Sequence, residues 1–170
     1  MTINHYLWNQ RRGLFFDYNF KTRRQSNYEF ATTFCPLWAG LATPEEARAV
    51  ERNLKLFEQP GGLVSSTHQT GAQWDYPYGW APLELMAVEG LRRYGYDQDA
   101  NRLSREFLSM VLENFRHDGT IREKYNVVTR SSETHIQVGY TANVIGFGWT
   151  NGVFLALLNE LPGKAVTSDK

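Results

Sequence analysis

Residues 73–82 read Gln73-Trp74-Asp75-Tyr76-Pro77-Tyr78-Gly79-Trp80-Ala81-Pro82. They set an amide and a carboxylate beside two tryptophans and two tyrosines, in a loop stiffened by proline and glycine. Amides and carboxylates form paired hydrogen bonds with sugar hydroxyls, and aromatic rings stack on the flat C–H faces of a pyranose. The same ten residues also read as a rigid aromatic turn packing the start of a helix, and the chemistry alone leaves both readings standing. A second segment, Arg122-Glu123-Lys124-Tyr125-Asn126, follows the turn Asp118-Gly119. By itself a glutamate between an arginine and a lysine reads as a solvated surface charge. A third, Gly146-Phe147-Gly148-Trp149-Thr150-Asn151-Gly152-Val153, reads as a close-packed, glycine-rich lead into a last helix.

The elements that must position these residues are helices. Thr43-Pro44-Glu45-Glu46 is a strong helix start: a threonine that can cap, a proline suited to the first turn, and two acids against the helix dipole. Ala47, Val50, Leu54 and Phe57 follow at helical spacing, so a helix is expected over 43–58. Further helices are expected over 81–95, with Leu83, Met86, Ala87, Gly90 and Leu91 on one face, and over 97–114, with Leu103, Phe107, Met110 and Val111 inward. A last one is expected over 149–161, with Val153, Leu157 and Leu161 in line. An early short helix carries Tyr6, Leu7 and Trp8, and an irregular aromatic stretch follows Gly13. Helices thus alternate with long loops, 61–80 and 118–148, that are rich in Gly, Trp, Tyr and Phe. Loops of that length and content are functional far more often than filler. The pattern predicts stacked helical hairpins with the site at the loop end.

Composition narrows the classes. The chain has 170 residues, 42% hydrophobic and 21% charged, which excludes a disordered segment. Eighteen Lys plus Arg balance eighteen Asp plus Glu, so nothing favours nucleic acid or an anionic membrane surface as a partner. No apolar stretch nears the roughly 18 residues of a spanning helix. Aromatic residues, at 14%, are the outlier and fit either a large aromatic core or sugar binding. The single cysteine, Cys35, forms no internal disulfide and reads as a small buried hydrophobe. The four histidines, His5, His68, His117 and His135, are scattered, and no metal site is expected.

The segment QWDYPYGWAP resembles a characteristic motif of the trehalase family: Gln-Trp-Asp, one residue, Pro, one residue, a small residue, Trp, a small residue, Pro. Every defining position matches. Glu123-Lys124-Tyr125 is similar to the family's Glu-Lys-Tyr-Asp, with Asn126 in place of the Asp. Gly146 to Val153 matches the family's Gly-Phe-Gly-Trp-Thr-Asn-Gly-Val, and LWNQRRGLFFDYNF is similar to its earlier Leu-Trp, acidic, Gly, aromatic, Asp-Tyr pattern. The resemblance implies an all-α fold, a partial α/α toroid (an incomplete six-hairpin barrel) with long aromatic loops. It implies hydrolysis of α,α-trehalose to two glucoses with inversion, without metal or organic cofactor. It assigns Glu123 as the base that activates water, and Gln73, Trp74 and Asp75 as residues that shape the sugar site.

Two departures qualify what the resemblance implies. Where many members carry a substrate-contacting Glu, this chain has Tyr140 in register, with Glu133 the nearest other carboxylate. The family's other characteristic motif is absent, as is its Glu-Ser-Gly-Trp-Asp-Phe segment, whose Asp is the general acid. Residues 1–162 are therefore expected to form the C-terminal part of a trehalase-like domain whose N-terminal portion is missing, with 163–170 a polar tail. An inverting hydrolase needs an acid and a base roughly 6.5–9.5 Å apart, and only the base has a candidate. The rival expectations are a sugar-binding remnant that does not cleave, a truncated gene product without function, and a related toroid hydrolase acting on another glucoside. The completeness of the 73–82 match argues against the last.

Overall fold

Thr43 begins the best-specified helix. Its side chain accepts the Glu46 N–H, and the Glu46 carboxylate accepts the Thr43 N–H in return, closing a capping box. The computed structural model describes residues 2–163 and runs in the following order. A short helix α1 (Thr2–Leu7) leads into β1 (Trp8–Asn9), paired with β2 (Leu14–Phe15), and β3 (Tyr18–Asn19), paired with β4 (Arg24–Gln25). A 3-10 turn (Ala31–Phe34) continues into α2 (Cys35–Trp38), and α3 (Pro44–Arg52) follows. The hairpin β5 (Glu58–Gln59) and β6 (Gly62–Leu63) precedes β7 (Tyr78–Trp80), which opens directly into α4 (Ala81–Arg93). Then come α5 (Asp97–Asp118), β8 (Lys124–Asn126) and α6 (Gly148–Glu160). Among the described residues no helix is long and apolar enough to cross a membrane.

The core forms where α4 meets its neighbours. It packs on α2, α5 and α6, and its buried face carries Leu83, Ala87, Val88, Gly90 and Leu91. At Gly90 the backbone of α2 comes so near that an added Cβ would sit 2.9 Å from the Trp38 nitrogen. Facing α4, α5 contributes Leu103, Phe107, Met110 and Val111, and α6 contributes Val153 and Leu157, all buried as their spacing predicts. Met86 is only half-buried, beside a half-buried Cys35 whose thiol lies 3.6 Å from the Met86 sulfur. Cys35 therefore lines the edge of the core rather than its interior.

Three expectations need correction. Four two-stranded sheets accompany the helices, so the described chain is helix-rich rather than all-α. The helix expected over 43–58 ends at Arg52. There the Asn53 side chain donates to the carbonyls of Arg12, Gly13 and Ala49, which draws it to the β1–β2 turn, and a 3-10 turn carries on to the buried Phe57. The helix expected to stop at 114 continues to Asp118, where Gly119 terminates it with φ 71°. The tail expected over 163–170 lies, beyond Gly163, outside the described residues.

A carboxyl group sits inside this core. Glu84, on the first turn of α4, is 2% exposed and accepts the Leu63 N–H at 2.8 Å. Burial pushes it up to about 8; the Leu63 amide works against that rise, and the charges of Glu106 and Glu58 add to it. Below its ordinary value of 4.5 the folded and unfolded states both hold the proton. Between 4.5 and about 8 only the folded state does, so each step up in pH favours unfolding. The midpoint of thermal unfolding should therefore fall across this window, and Glu84→Gln should flatten the fall; equal slopes in the two proteins would refute it.

Gly79, in the middle of β7, tests the packing of the sheets. A Cβ there would lie 2.4 Å from the Leu63 carbonyl oxygen and 2.5 Å from Val127 Cγ1. A backbone oxygen cannot step aside as a side chain can. Gly79→Ala should cost about 1–3 kcal/mol in urea unfolding, and an unchanged midpoint would show that the strands are free to separate.

Candidate active site

The site is assembled by β7 and β8. They pair antiparallel with Trp80 opposite Lys124, Gly79 opposite Tyr125 and Tyr78 opposite Asn126. This joins the loop before α4 to the segment after α5. Trp74 stacks on Trp80, ring centroids 3.9 Å apart and planes within 8°. Trp80 in turn meets Trp149, on the first turn of α6, edge to face at 5.6 Å. The Trp80 indole N–H donates to the Gln73 carbonyl at 2.8 Å, which fixes the loop to its own strand.

Glu123 lies in this aromatic cluster and is 3% exposed. Its main-chain carbonyl accepts from the Trp149 indole at 3.3 Å and the Thr150 hydroxyl at 3.2 Å, while its N–H donates to the Val144 carbonyl. Its carboxylate has two partners. Lys124 Nζ donates to Oε2 at 3.0 Å, and the Tyr140 hydroxyl donates to Oε1 at 2.5 Å. Lys124 is wholly buried; its ammonium also donates to the Ala142 carbonyl at 2.8 Å and lies over the Tyr140 and Trp80 rings at 4.1 and 5.2 Å. A buried charge needs a countercharge and hydrogen bonds together, and this arrangement gives Glu123 and Lys124 both.

The four residues nominated from sequence fall into two groups. Trp74 shares the aromatic cluster with Glu123 and keeps 37% of its surface exposed. Gln73 donates its N–H to the Val138 carbonyl, and its side-chain oxygen is buried without a hydrogen-bond partner. Asp75 differs: it is 4% exposed, and both its oxygens are engaged. Tyr28 donates to Oδ1 at 2.5 Å, Ser66 donates to the same oxygen at 2.7 Å, and Thr70 donates to Oδ2. Burial works to raise this carboxyl, but the Ser66, Thr70 and Tyr28 hydroxyls outweigh it and hold the group below the usual aspartate range. Asp75 thus ties the loop to the chain around Tyr28.

Glu133, the other carboxylate considered for substrate contact, is exposed, while Tyr140 bonds to Glu123 directly. Sequence reasoning missed Lys124 and Tyr140 as partners of Glu123, and Tyr28 as a partner of Asp75. For Tyr140 the signal was present as a departure from the family pattern.

The family profile for Trehalase matches residues 1–162. The cytosolic neutral trehalase of Neurospora crassa is 41% identical over 91% of this chain and 23% of its own length. The cytosolic neutral trehalase of Saccharomyces cerevisiae is 41% identical over 96% of this chain and 24% of its own. The periplasmic trehalase of Xanthomonas axonopodis pv. citri is 43% identical over 95% and 28%. The chain therefore spans about a quarter of the length of the curated relatives it matches. Among solved structures, neutral trehalase Nth1 from Saccharomyces cerevisiae superposes with a TM-score of 0.79 at 40% identity, over 95% of this chain and 29% of that one. A GH63 mannosylglycerate hydrolase from Thermus thermophilus shares the fold, with a TM-score of 0.71 at 22% identity, over 89% of this chain and 36% of that one. With the profile covering nearly the whole chain and the same segment recurring in fungal and bacterial relatives, the chain belongs to the trehalase family.

Proposed function

We propose that residues 1–162 are the C-terminal part of a trehalase catalytic domain of the α/α-toroid type, and that this part supplies the base for inverting hydrolysis of α,α-trehalose. The observation that carries the proposal is the buried Glu123 carboxylate, held between an ammonium and a phenol beside the stacked Trp74–Trp80 pair. Glu123 takes a proton from the attacking water as its oxygen bonds to the anomeric carbon. A carboxylic acid on the opposite face gives a proton to the bridging oxygen as that bond breaks. Residues 1–162 offer no counterpart of the family's acid segment, so the acid belongs to the part of the toroid that these residues do not span. Trp74 offers a stacking face, and Gln73 shapes the site beside it, its side-chain oxygen turned inward. Asp75 shapes the site by fixing the loop. No metal or organic cofactor has a step in this scheme.

A chimera tests this directly. Residues 1–162 would replace the matching quarter of the Neurospora crassa cytosolic neutral trehalase, and glucose release from trehalose would be measured. The chimera should be active. Glu123→Gln should lower kcat by roughly two or more orders of magnitude with little change in KM, because the amide keeps the size of the carboxylate but cannot accept the proton. An active Glu123→Gln chimera would mean the base lies elsewhere. The chain by itself should release glucose negligibly, and brisk release would show that it holds an acid of its own.

A further inference from the structure

Each oxygen of the nominated base already accepts one hydrogen bond, and the residue is 3% exposed. Lys124 holds Oε2 from inside, and its own burial makes that bond part of the fold. The partner on Oε1 is of another kind. Tyr140 sits on the loop between β8 and α6 and is 44% exposed, flanked by the exposed Gly139 and Thr141. Its hydroxyl nonetheless reaches Glu123 at 2.5 Å, and its ring covers the Lys124 ammonium at 4.1 Å. A water that Glu123 is to activate must both reach a carboxylate oxygen and donate to it. Each oxygen can accept a second hydrogen bond, but with Glu123 only 3% exposed little of the carboxylate is open while the Tyr140 hydroxyl sits on Oε1.

Resting on the reading of Glu123 as the base, we infer that Tyr140 is a displaceable stopper. Its hydroxyl occupies the position of the attacking water, and a sugar ligand must push it off Oε1 before the site is competent. The exposed side of the exchange is inexpensive, since a phenol released from this loop is solvated at once. The buried side is not, because Oε1 loses a hydrogen bond to a charged group unless the ligand supplies another. Tyr140 thereby acts as a built-in competitor that lowers the affinity of everything binding there. Burial of the hydroxyl, reinforced by the contact with Glu123, pushes the Tyr140 phenol up to about 12, so it remains a donor throughout the neutral range.

The probe is 1-deoxynojirimycin, a glucose-shaped imino sugar whose protonated ring nitrogen can pair with a carboxylate. Its binding to the active chimera would be followed by calorimetry. Tyr140→Phe keeps the ring over Lys124 and removes only the hydroxyl, and Tyr140→Ala removes both. Release of a hydrogen bond to a charged group should tighten binding roughly tenfold in both variants. Tighter binding in Tyr140→Ala alone would mean that the ring, not the hydroxyl, obstructs the site, and would overturn the stopper. Unchanged or weaker binding in Tyr140→Phe would overturn it too. If Glu123→Gln abolishes binding in those cases, the reading of Glu123 as facing the sugar survives. Binding indifferent to Glu123→Gln, or no binding by any variant, sinks that reading and the stopper with it.

Discussion

Three rungs of antiparallel ladder hold the candidate site together. Before they form, the segment around Trp80 and the segment around Lys124 are separated by two helices, α4 and α5. The pairing of Tyr78–Trp80 with Lys124–Asn126 brings them side by side. Its surroundings leave little freedom. The Ser65 N–H donates to the Tyr78 carbonyl beside the ladder, and the Val127 N–H donates to the Pro77 carbonyl at its end. Gly79 fits between because it has no side chain. The stacked indoles and the edge-to-face contact with Trp149 then follow from where the strands put Trp80.

The chemistry depends on this ladder through Lys124. As the rung opposite Trp80, its backbone is fixed and its side chain is confined between the Trp80 and Tyr140 rings. An ammonium kept there has few partners open to it besides Glu123 and the Ala142 carbonyl. Aromatic faces compensate part of the lost hydration without offering a competing anion. The carboxylate is therefore oriented by a cation that has nowhere else to go, which would hold the proposed base in one geometry before any ligand arrives.

The helices were legible in the sequence because their signals are local. A capping box at Thr43, a terminating glycine at Gly119 and the spacing of Leu103, Phe107, Met110 and Val111 all act within a few residues of chain. The end of α3 was not legible, because Asn53 leaves the helix for carbonyls about 40 residues earlier in the chain. The sheets escaped notice because strands of two or three residues are too short to show an alternating pattern. In the site, the association of Trp74 with Glu123 came from motif resemblance; the structure links them through Trp80 and Trp149. The inward commitment of Asp75 had no local sign, since its donors Tyr28, Ser66 and Thr70 lie on two separate stretches of chain. Nor did the burial of Glu123 and Lys124, which adjacent charges in a sequence ordinarily argue against.

That two buried, mutually dependent charges are consecutive residues constrains how this segment can drift. Changing either codon alone leaves the other ion unpaired in an apolar setting, at about 3–5 kcal/mol. That is a large share of the roughly 5–15 kcal/mol that keeps a domain folded. A lineage that abandons the reaction gains no relief by losing the glutamate first, because the lysine remains. The dipeptide can therefore persist in descendants that no longer cleave anything. Its presence in a distant sequence is a better marker of ancestry and of a folded interior than of retained activity.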